Sequence, residues 1–207
     1  MTEEIKFIEI IILCIILCCC TFAQNNQQSA EHDDDPVFLY GSYQYLTLPD
    51  HWNINYYGLS AEVKASEIIG LSGSILYGKG SNNTSFLHVP VTGALACLVV
   101  SVFDPNIENL LLLFLEKVQY NHSIKEVIFL SPYWSIVGAD LAAGRDGKEG
   151  YTLFSSGVGI NAKVISSKRI VLSSDFSLKY FIVGDKIQFG SGNQFGFSAG
   201  INLGYMF

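Results

Sequence analysis

The sequence predicts an all-β fold, a closed antiparallel β-barrel that spans a membrane, and three observations lead to this prediction. Apolar residues alternate with small or polar residues along most of the chain after residue 36. Mean hydropathy is positive, at +0.32, yet the chain has no run of the about 20 apolar residues that a membrane-spanning helix needs. Charged residues make up only 15% of the 207, and the 19 glycines fall largely on the polar side of the alternation.

The first 23 residues predict a secretory signal peptide. Residues 10–20 read IIILCIILCCC and are followed by an abrupt change to polar residues, with Ala23 and Gln24 at the expected cleavage site. The acidic residues before this block depart from the usual positive start of such a peptide. Residues 24–36 predict a polar periplasmic linker, and residues 37–207 the barrel domain.

Charge and cysteine content exclude several classes of protein. The net charge of -7 argues against nucleic-acid binding, which usually needs a basic face. Once residues 1–23 are removed, Cys97 is the single cysteine, so neither an internal disulfide nor a cysteine-based zinc site is possible. We expect no cofactor and no metal.

The last fourteen residues give the clearest strand. Residues 194–207 alternate seven times without a break, and Gly, Ser and other small or polar residues fill the second face. The face that we expect to point to lipid carries Phe195, Phe197, Ala199, Ile201, Leu203, Tyr205 and Phe207. An apolar outer face and a polar inner face are typical of membrane strands.

The same period divides the chain into eight strands, which is the expected even number for a closed barrel. The predicted strands are residues 37–48, 54–64, 67–78, 86–102, 127–142, 151–164, 170–182 and 194–207. They are joined by longer connections at 49–53, 79–85, 143–150 and 183–193 and by short turns at 65–66 and 165–169.

Residues 103–126 do not alternate. Asp104 and Pro105 resemble a helix start, and the apolar stretch that follows predicts a short helix around 105–117, buried against the barrel floor or lying at the membrane interface. In the alternative, residues 118–123 pair with the strand from 127 onward as an extra hairpin, which gives ten strands.

Six charged residues fall on the polar face of predicted strands, where a narrow lumen requires opposite charges to pair. They are Glu62, Lys64, Asp140, Lys163, Asp175 and Lys179. Structural pairing is the favoured interpretation, and a proton relay, a cation path or a catalytic dyad is the alternative. Aromatic residues toward strand ends predict interfacial girdles. They include Trp52, Tyr56, Tyr57, Tyr77, Tyr133, Trp134, Tyr151 and Tyr205.

The pattern as a whole resembles the small outer-membrane β-barrel proteins of Gram-negative bacteria. The resemblance covers residues 37–207, and its most specific part is the alternating strand that ends in Phe207. It implies that Phe195, Phe197, Ile201, Leu203, Tyr205 and Phe207 form the signal read by the barrel-assembly machinery. It also implies a location in the outer membrane, among lipid and lipopolysaccharide.

No catalytic constellation stands out in the sequence. Among the histidines, His88 has Ser85 three positions away, which is a weak hint of a nucleophile and base. We therefore expect a monomeric, non-enzymatic protein with a plugged lumen, serving envelope structure or interaction. The alternatives are a narrow pore for small solutes, an enzyme that modifies lipid A, and a secreted soluble barrel such as a lipocalin.

Overall fold

The computed structural model describes residues 36–48, 52–80, 84–103, 112–143, 150–183 and 193–207, which form ten strand segments and one α-helix. The strands are β1 (Val37–Leu48), β2 (Trp52–Lys64), β3 (Ile69–Gly80), β4 (Ser85–Pro90), β5 (Lys117–Tyr120), β6 (His122–Lys125), β7 (Ile128–Ala143), β8 (Gly150–Ile165), β9 (Ile170–Val183) and β10 (Gln194–Met206). The helix, α1, is Val91–Phe103.

The strands close into one antiparallel barrel. β10 pairs with β1 from Phe38↔Met206 to Thr47↔Phe197, and each further strand pairs with its neighbours around the ring. Closure satisfies the backbone hydrogen bonds that an open edge would leave unpaired in hydrocarbon. One end of the barrel, the turn end, carries the short turns at 65–68, 126–127 and 166–169 together with Phe207. The opposite end is the loop end.

Ten segments make eight wall strands, because three segments share one place in the wall. β4 pairs with the loop-end halves of β3 and β7, whereas β5 pairs with their turn-end halves and β6 continues along β7. We call β4, β5 and β6 together wall strand 4. The barrel is therefore eight-stranded, as the favoured sequence prediction had it.

The helix lies elsewhere than predicted. Residues 91–102, expected to complete a strand, form most of α1, while residues 112–114 form a 3-10 turn and Lys117 already belongs to β5. The rest of the predicted helix, residues 104–111, lies outside the described residues. The prediction failed because VTGALACLVVSVF is apolar at both strand parities, so a strand here would turn large apolar groups into the polar middle of the lumen. A helix satisfies its own backbone outside the lumen. No helix in the described part of the chain is long and apolar enough to cross a membrane.

The alternation places side chains as the sequence predicts on β10. Phe195, Phe197 and Leu203 are 58%, 64% and 60% exposed on the outer wall. Gln194 and Ser198, on the opposite face, are buried. The residues that were predicted to face lipid therefore lie on the outer surface of the barrel.

The lumen is polar only in its middle, which differs from the expected Gly- and Ser-rich interior. Toward the loop end it is filled by an apolar cluster, the loop-end plug, made of Leu46, Leu48, Ile54, Tyr56, Leu76, Phe86, Ala142, Leu153 and Phe181. Toward the turn end, Phe38, Tyr40 and Val171 pack together with Ile165 and Met206. Burying these side chains stabilises the barrel by about 1.5–3 kcal/mol for each large one.

Candidate functional site

The strongest polar cluster in the lumen centres on His88. Its Nδ1 lies 3.0 Å from Asp140 Oδ1 and its Nε2 lies 3.1 Å from Glu116 Oε2. The Tyr56 hydroxyl donates to Asp140 over 2.7 Å, and the Ser135 hydroxyl donates to Glu116 over 2.9 Å. Lys179 adds a longer ion pair, since its Nζ is 3.7 Å from Glu116 Oε1.

The geometry indicates that His88 carries a positive charge. A carboxylate only accepts hydrogen bonds, so an imidazole with a carboxylate on each nitrogen must donate from both, which makes it an imidazolium. The balance of acidic and basic side chains in the lumen agrees with a protonated His88. Among the described lumen residues, the ion-paired acids are Glu62, Glu116, Asp140 and Asp175, and the ion-paired bases are Lys163, Lys179, His88 and the partly exposed Lys117. Four negative charges meet four positive charges only when His88 is protonated.

A second cluster joins wall strand 4 to β9. Lys117 Nζ lies 3.3 Å from Asp175 Oδ2 and 4.7 Å from the centre of the Tyr133 ring. The Tyr133 hydroxyl donates to Asp175 over 2.8 Å. The Asp175 carboxylate thus accepts from the Tyr133 hydroxyl and from the Lys117 ammonium, whose charge offsets the cost of removing the carboxylate from water.

A third cluster, near the turn end, joins β2 to β8. Lys163 pairs with Glu62, and the Tyr40 hydroxyl donates to Glu62 over 3.1 Å. The Lys163 ammonium also lies 4.4 Å from the centre of the Phe38 ring. Its charge is therefore held by a carboxylate and an aromatic face together.

Between these clusters the lumen retains a polar cavity of about 40 Å³. Asn161 lines it, and its buried Oδ1 has no hydrogen-bond partner among the residues that the structure describes. A cavity of this size holds a few water molecules, since each needs about 10–15 Å³. Its polar lining includes Ser42, Gln44, Ser60, Glu62, Ser72, Ser74, Lys117, Gln119, Asn161, Ser173, Asp175 and Asn202.

Five of the six predicted lumen charges have buried side chains inside the barrel, and the sixth does not. Glu62 and Lys163 pair with each other, whereas Asp140, Asp175 and Lys179 pair with residues that the sequence analysis did not choose. Lys64 is half-buried at the turn end of β2. Ala23 and Gln24 lie outside the described residues.

Glu116 and Lys117 were missed because they stood at the end of the predicted helix. The alternation of Lys117 and Gln119 with Val118 and Tyr120 is the signal that marks this stretch as a strand. The expected pairing of Ser85 as nucleophile with His88 as base is wrong, because the Ser85 hydroxyl is hydrogen-bonded to the Tyr77 hydroxyl.

Tyr56 and Tyr133 are not girdle residues. Both are buried in the lumen, where each donates to an aspartate. Tyr56 has the same strand parity as Glu62, so the alternation already placed it inside. Other aromatic residues do lie on the outer wall, including Tyr57, Trp134 and Tyr205.

The His88 cluster lacks the arrangement of a hydrolase. Both nitrogens of His88 are engaged by carboxylates, and Ser135 donates to Glu116 instead of to the imidazole. A nucleophilic serine needs a free base nitrogen within hydrogen-bond reach. In the part of the chain that the structure describes, no group of three or more His, Cys, Asp or Glu side chains has the geometry to hold a metal ion.

Comparisons with known proteins bear on the fold. No family model matches the chain, and no curated protein matches it. Among solved structures, Neisserial surface protein A is similar at 9% identity and a TM-score of 0.53, covering 83% of this chain and 96% of that one. Ail, the attachment invasion locus protein of Yersinia pestis, aligns at 12% identity over 84% of this chain and 99% of its own, with a TM-score of 0.46.

A designed transmembrane β-barrel aligns at 15% identity over 86% of this chain and 99% of its own, with a TM-score of 0.37. The likeness to Neisserial surface protein A, together with the closed register, gives this chain the fold of an eight-stranded outer-membrane barrel.

Proposed function

We propose that this protein is an outer-membrane β-barrel with a sealed lumen that serves envelope structure or interaction and carries out no catalysis. The observation that carries the proposal is the filling of the lumen. The loop-end plug closes one side, the cluster of Phe38, Tyr40 and Val171 closes the other, and paired charges occupy the middle. A barrel filled in this way offers its outer wall and its loops to other molecules.

The location and the partners belong to the same proposal. The outer wall is rich in exposed apolar side chains, which supports contact with lipid. We expect the loop end to contact lipopolysaccharide. The alternating strand that ends in Phe207 supports recognition by the barrel-assembly machinery, with Phe195, Phe197, Ile201, Leu203 and Tyr205 as the outward residues.

Conductance in planar bilayers tests the sealed lumen. The purified protein is expected to leave the bilayer at its baseline, because ions cannot cross two apolar clusters. A variant with Phe86→Gly and Phe181→Gly, which empties the loop-end plug, is the matched control and is expected to raise conductance if its barrel remains folded. A stable, porin-like conductance of the unaltered protein would favour the narrow pore instead.

Lipid A chemistry is tested separately. Incubation of the protein with lipid A, followed by mass spectrometry, is expected to return the lipid unchanged, because His88 has no free nitrogen for a nucleophile. Loss or gain of an acyl chain would favour the enzyme, and the variant His88→Gln would then show whether this cluster performs it.

A further inference from the structure

The turn end of the barrel carries three basic side chains that have no acidic partner among the described residues. Lys168 and Arg169 lie in the turn between β8 and β9 and are exposed, and the half-buried Lys64 ends β2. We call these three residues the basic rim. None of them forms an ion pair, and Glu67, the described acid nearest to Lys64 in the sequence, forms none either.

Arg169 has a backbone conformation that usually belongs to glycine. Its φ is +62°, and it is the only described residue other than glycine with a positive φ. Its amide donates to the Ser166 carbonyl over 3.0 Å, so it closes the turn at a position where glycine is the common choice. The turn itself gains nothing from a guanidinium. The presence of arginine here therefore indicates that its charge serves a contact outside the turn.

The chain enters the barrel between the members of the basic rim. Val37, the first residue of β1, pairs with the residue that precedes Lys64 on β2. On the other side of β1, only β10 intervenes before the turn that carries Arg169, whose carbonyl accepts from the Met206 amide. Because neighbouring strands lie about 5 Å apart, the chain before Val37 starts about 5 Å from β2 and about 10 Å from β9.

The segment that leads to this point is acidic. Residues 24–35, which lie outside the described residues, read QNNQQSAEHDDD and contain four acids but neither lysine nor arginine. The last three of them are Asp33, Asp34 and Asp35. One residue spans at most about 3.6 Å, so covalent linkage keeps all three within about 15 Å of Val37. Three carboxylates are thus tethered beside three cations that the described barrel leaves without an acid.

We propose that the acidic run, residues 33–35, docks onto the basic rim and holds the segment before β1 against the turn end of the barrel. One exposed ion pair contributes little, but three pairs formed by a tethered segment add up, because the tether has already removed most of the entropy of association. The contact uses the charge of Arg169 and gives each cation of the rim a partner. It concerns the turn end alone and goes beyond the proposed function.

Anionic lipid headgroups are the competing partner for a basic rim. The acidic run is favoured over them because it is attached at the rim and needs no encounter with a second molecule. Vesicles that contain or lack an anionic lipid therefore separate the two occupants.

Zero-length cross-linking with a carbodiimide tests the contact, because this reagent joins a carboxylate only to an amine that touches it. The full chain, folded in phosphatidylcholine vesicles, is expected to give cross-linked peptides that join residues 33–35 to Lys64 or Lys168. In about 1 M salt, where charges act over only about 3 Å, their yield should fall at least fivefold. Lys79 is the control, since it is exposed at the loop end of β3 and should give none.

Two results of this experiment would overturn the proposal. Absence of these cross-links in phosphatidylcholine would mean that the acidic run does not touch the rim. Their loss when phosphatidylglycerol is added to the vesicles would mean that lipid headgroups hold the rim instead.

Proteolysis at Glu31 gives a readout that proximity alone would not move. A protease takes several residues on each side of the cleaved bond into its cleft, so docking of residues 33–35 hinders cleavage after Glu31. A glutamate-specific protease should cut there at least fivefold faster in the variant Lys168→Gln, Arg169→Gly than in the parent chain. Glycine suits the positive φ at position 169, so the turn keeps its shape while both charges are removed.

Lys79→Gln is the matched control and should be cleaved at the rate of the parent chain. Each chain is first shown to fold by its faster migration before boiling. Equal rates of cleavage in all three chains would overturn the docking. None of these results depends on conductance, so a free acidic run and an open lumen remain distinguishable.

Discussion

His88 shows how a charged residue is accommodated inside this barrel. An isolated buried charge costs several kcal/mol, and here the imidazolium offsets that cost through two carboxylates that are themselves held by Tyr56, Ser135 and Lys179. The network is closed, because each carboxylate near His88 accepts from a second donor. Removing one member leaves the others buried and uncompensated.

The first prediction therefore concerns Glu116→Gln. This variant leaves the positive charges of His88 and Lys179 without their shared carboxylate, and the free energy of unfolding should fall by about 3–5 kcal/mol. Urea unfolding of the refolded barrel in detergent, followed by tryptophan fluorescence, measures the loss. Lys64→Gln is the control, and it should change stability by about 0.5 kcal/mol or less. A loss below about 1 kcal/mol in Glu116→Gln would contradict the network.

Glu62 and Lys163 supply a second prediction, on coupling. Glu62→Leu and Lys163→Met should each destabilise the barrel, because each leaves the partner charge alone in the lumen. The double variant should be less destabilised than the sum of the two by about 0.5–3 kcal/mol. The same unfolding assay completes the cycle, and additive losses would show that the two side chains act independently.

Alternation alone predicted which of these side chains point inward, but it could not pair them. Glu62 and Lys163 are 101 positions apart, and they meet because β2 and β8 face each other across a narrow lumen. Which charged side chains form ion pairs depends on how all eight strands are staggered relative to one another. A local sequence pattern does not contain that information. Glu116 was hidden for a further reason, since the excursion made it the end of a predicted helix instead of the residue just before β5.

At the scale of elements, wall strand 4 is one strand interrupted by an excursion. His88 pairs with Leu76 before the excursion, and Lys117 pairs with Ser72 after it. In that register Pro90 falls opposite Ser74 and Glu116 falls opposite Gly73, so no position of β3 is skipped. The excursion, residues 91–115, is inserted between two consecutive positions of an otherwise continuous strand.

Deleting residues 91–115 should therefore leave a barrel. Pro90 joined to Glu116 restores an uninterrupted strand between β3 and β7, and the slight bulge of β7 at residues 136–137 absorbs the remaining difference in register. Circular dichroism and heat-modifiable migration should match those of the parent chain. Failure of this variant to fold, while the parent folds under the same conditions, would mean that α1 is part of the core.

Gly73 permits the chain to return to the wall. A Cβ at this position would lie 1.8 Å from the Phe114 carbonyl oxygen. Gly73→Ala therefore pushes the backbone segments at Gly73 and Phe114 apart, and it should lower the free energy of unfolding by about 1–3 kcal/mol. Gly41→Ala is the matched control, because its nearest atom would be 3.8 Å away. Urea midpoints of the two variants compare the effects directly, and equal midpoints would contradict close contact at Gly73.

The α1 segment shows why an element can be misassigned from sequence. Short apolar runs do not reveal their period, so strand and helix remain equally compatible with VTGALACLVVSVF. The long strands, by contrast, carry their period in every second residue. β10 was predictable almost to its last position for this reason.

For the whole molecule, closure and burial predict resistance to detergent. Among the described residues, every wall strand pairs with two neighbours along most of its length, and only the four-residue β6 pairs with β7 alone, so little strand edge is open for unfolding to begin. The unboiled protein should migrate faster on an SDS gel than the boiled protein, and it should fractionate with membranes. A single band at all temperatures, in the soluble fraction, would contradict a membrane barrel.

The excursion in wall strand 4 also has a consequence for how quickly the barrel assembles. Before β5 can join β3 beside β4, the ends of a 25-residue segment must meet, and the entropy lost in closing such a loop is about 3 kcal/mol. Neighbouring hairpins elsewhere close over two to ten residues and lose less. Zipping of wall strand 4 therefore loses more loop entropy than any hairpin between consecutive strands, and the chain that lacks residues 91–115 should refold into lipid vesicles faster than the parent.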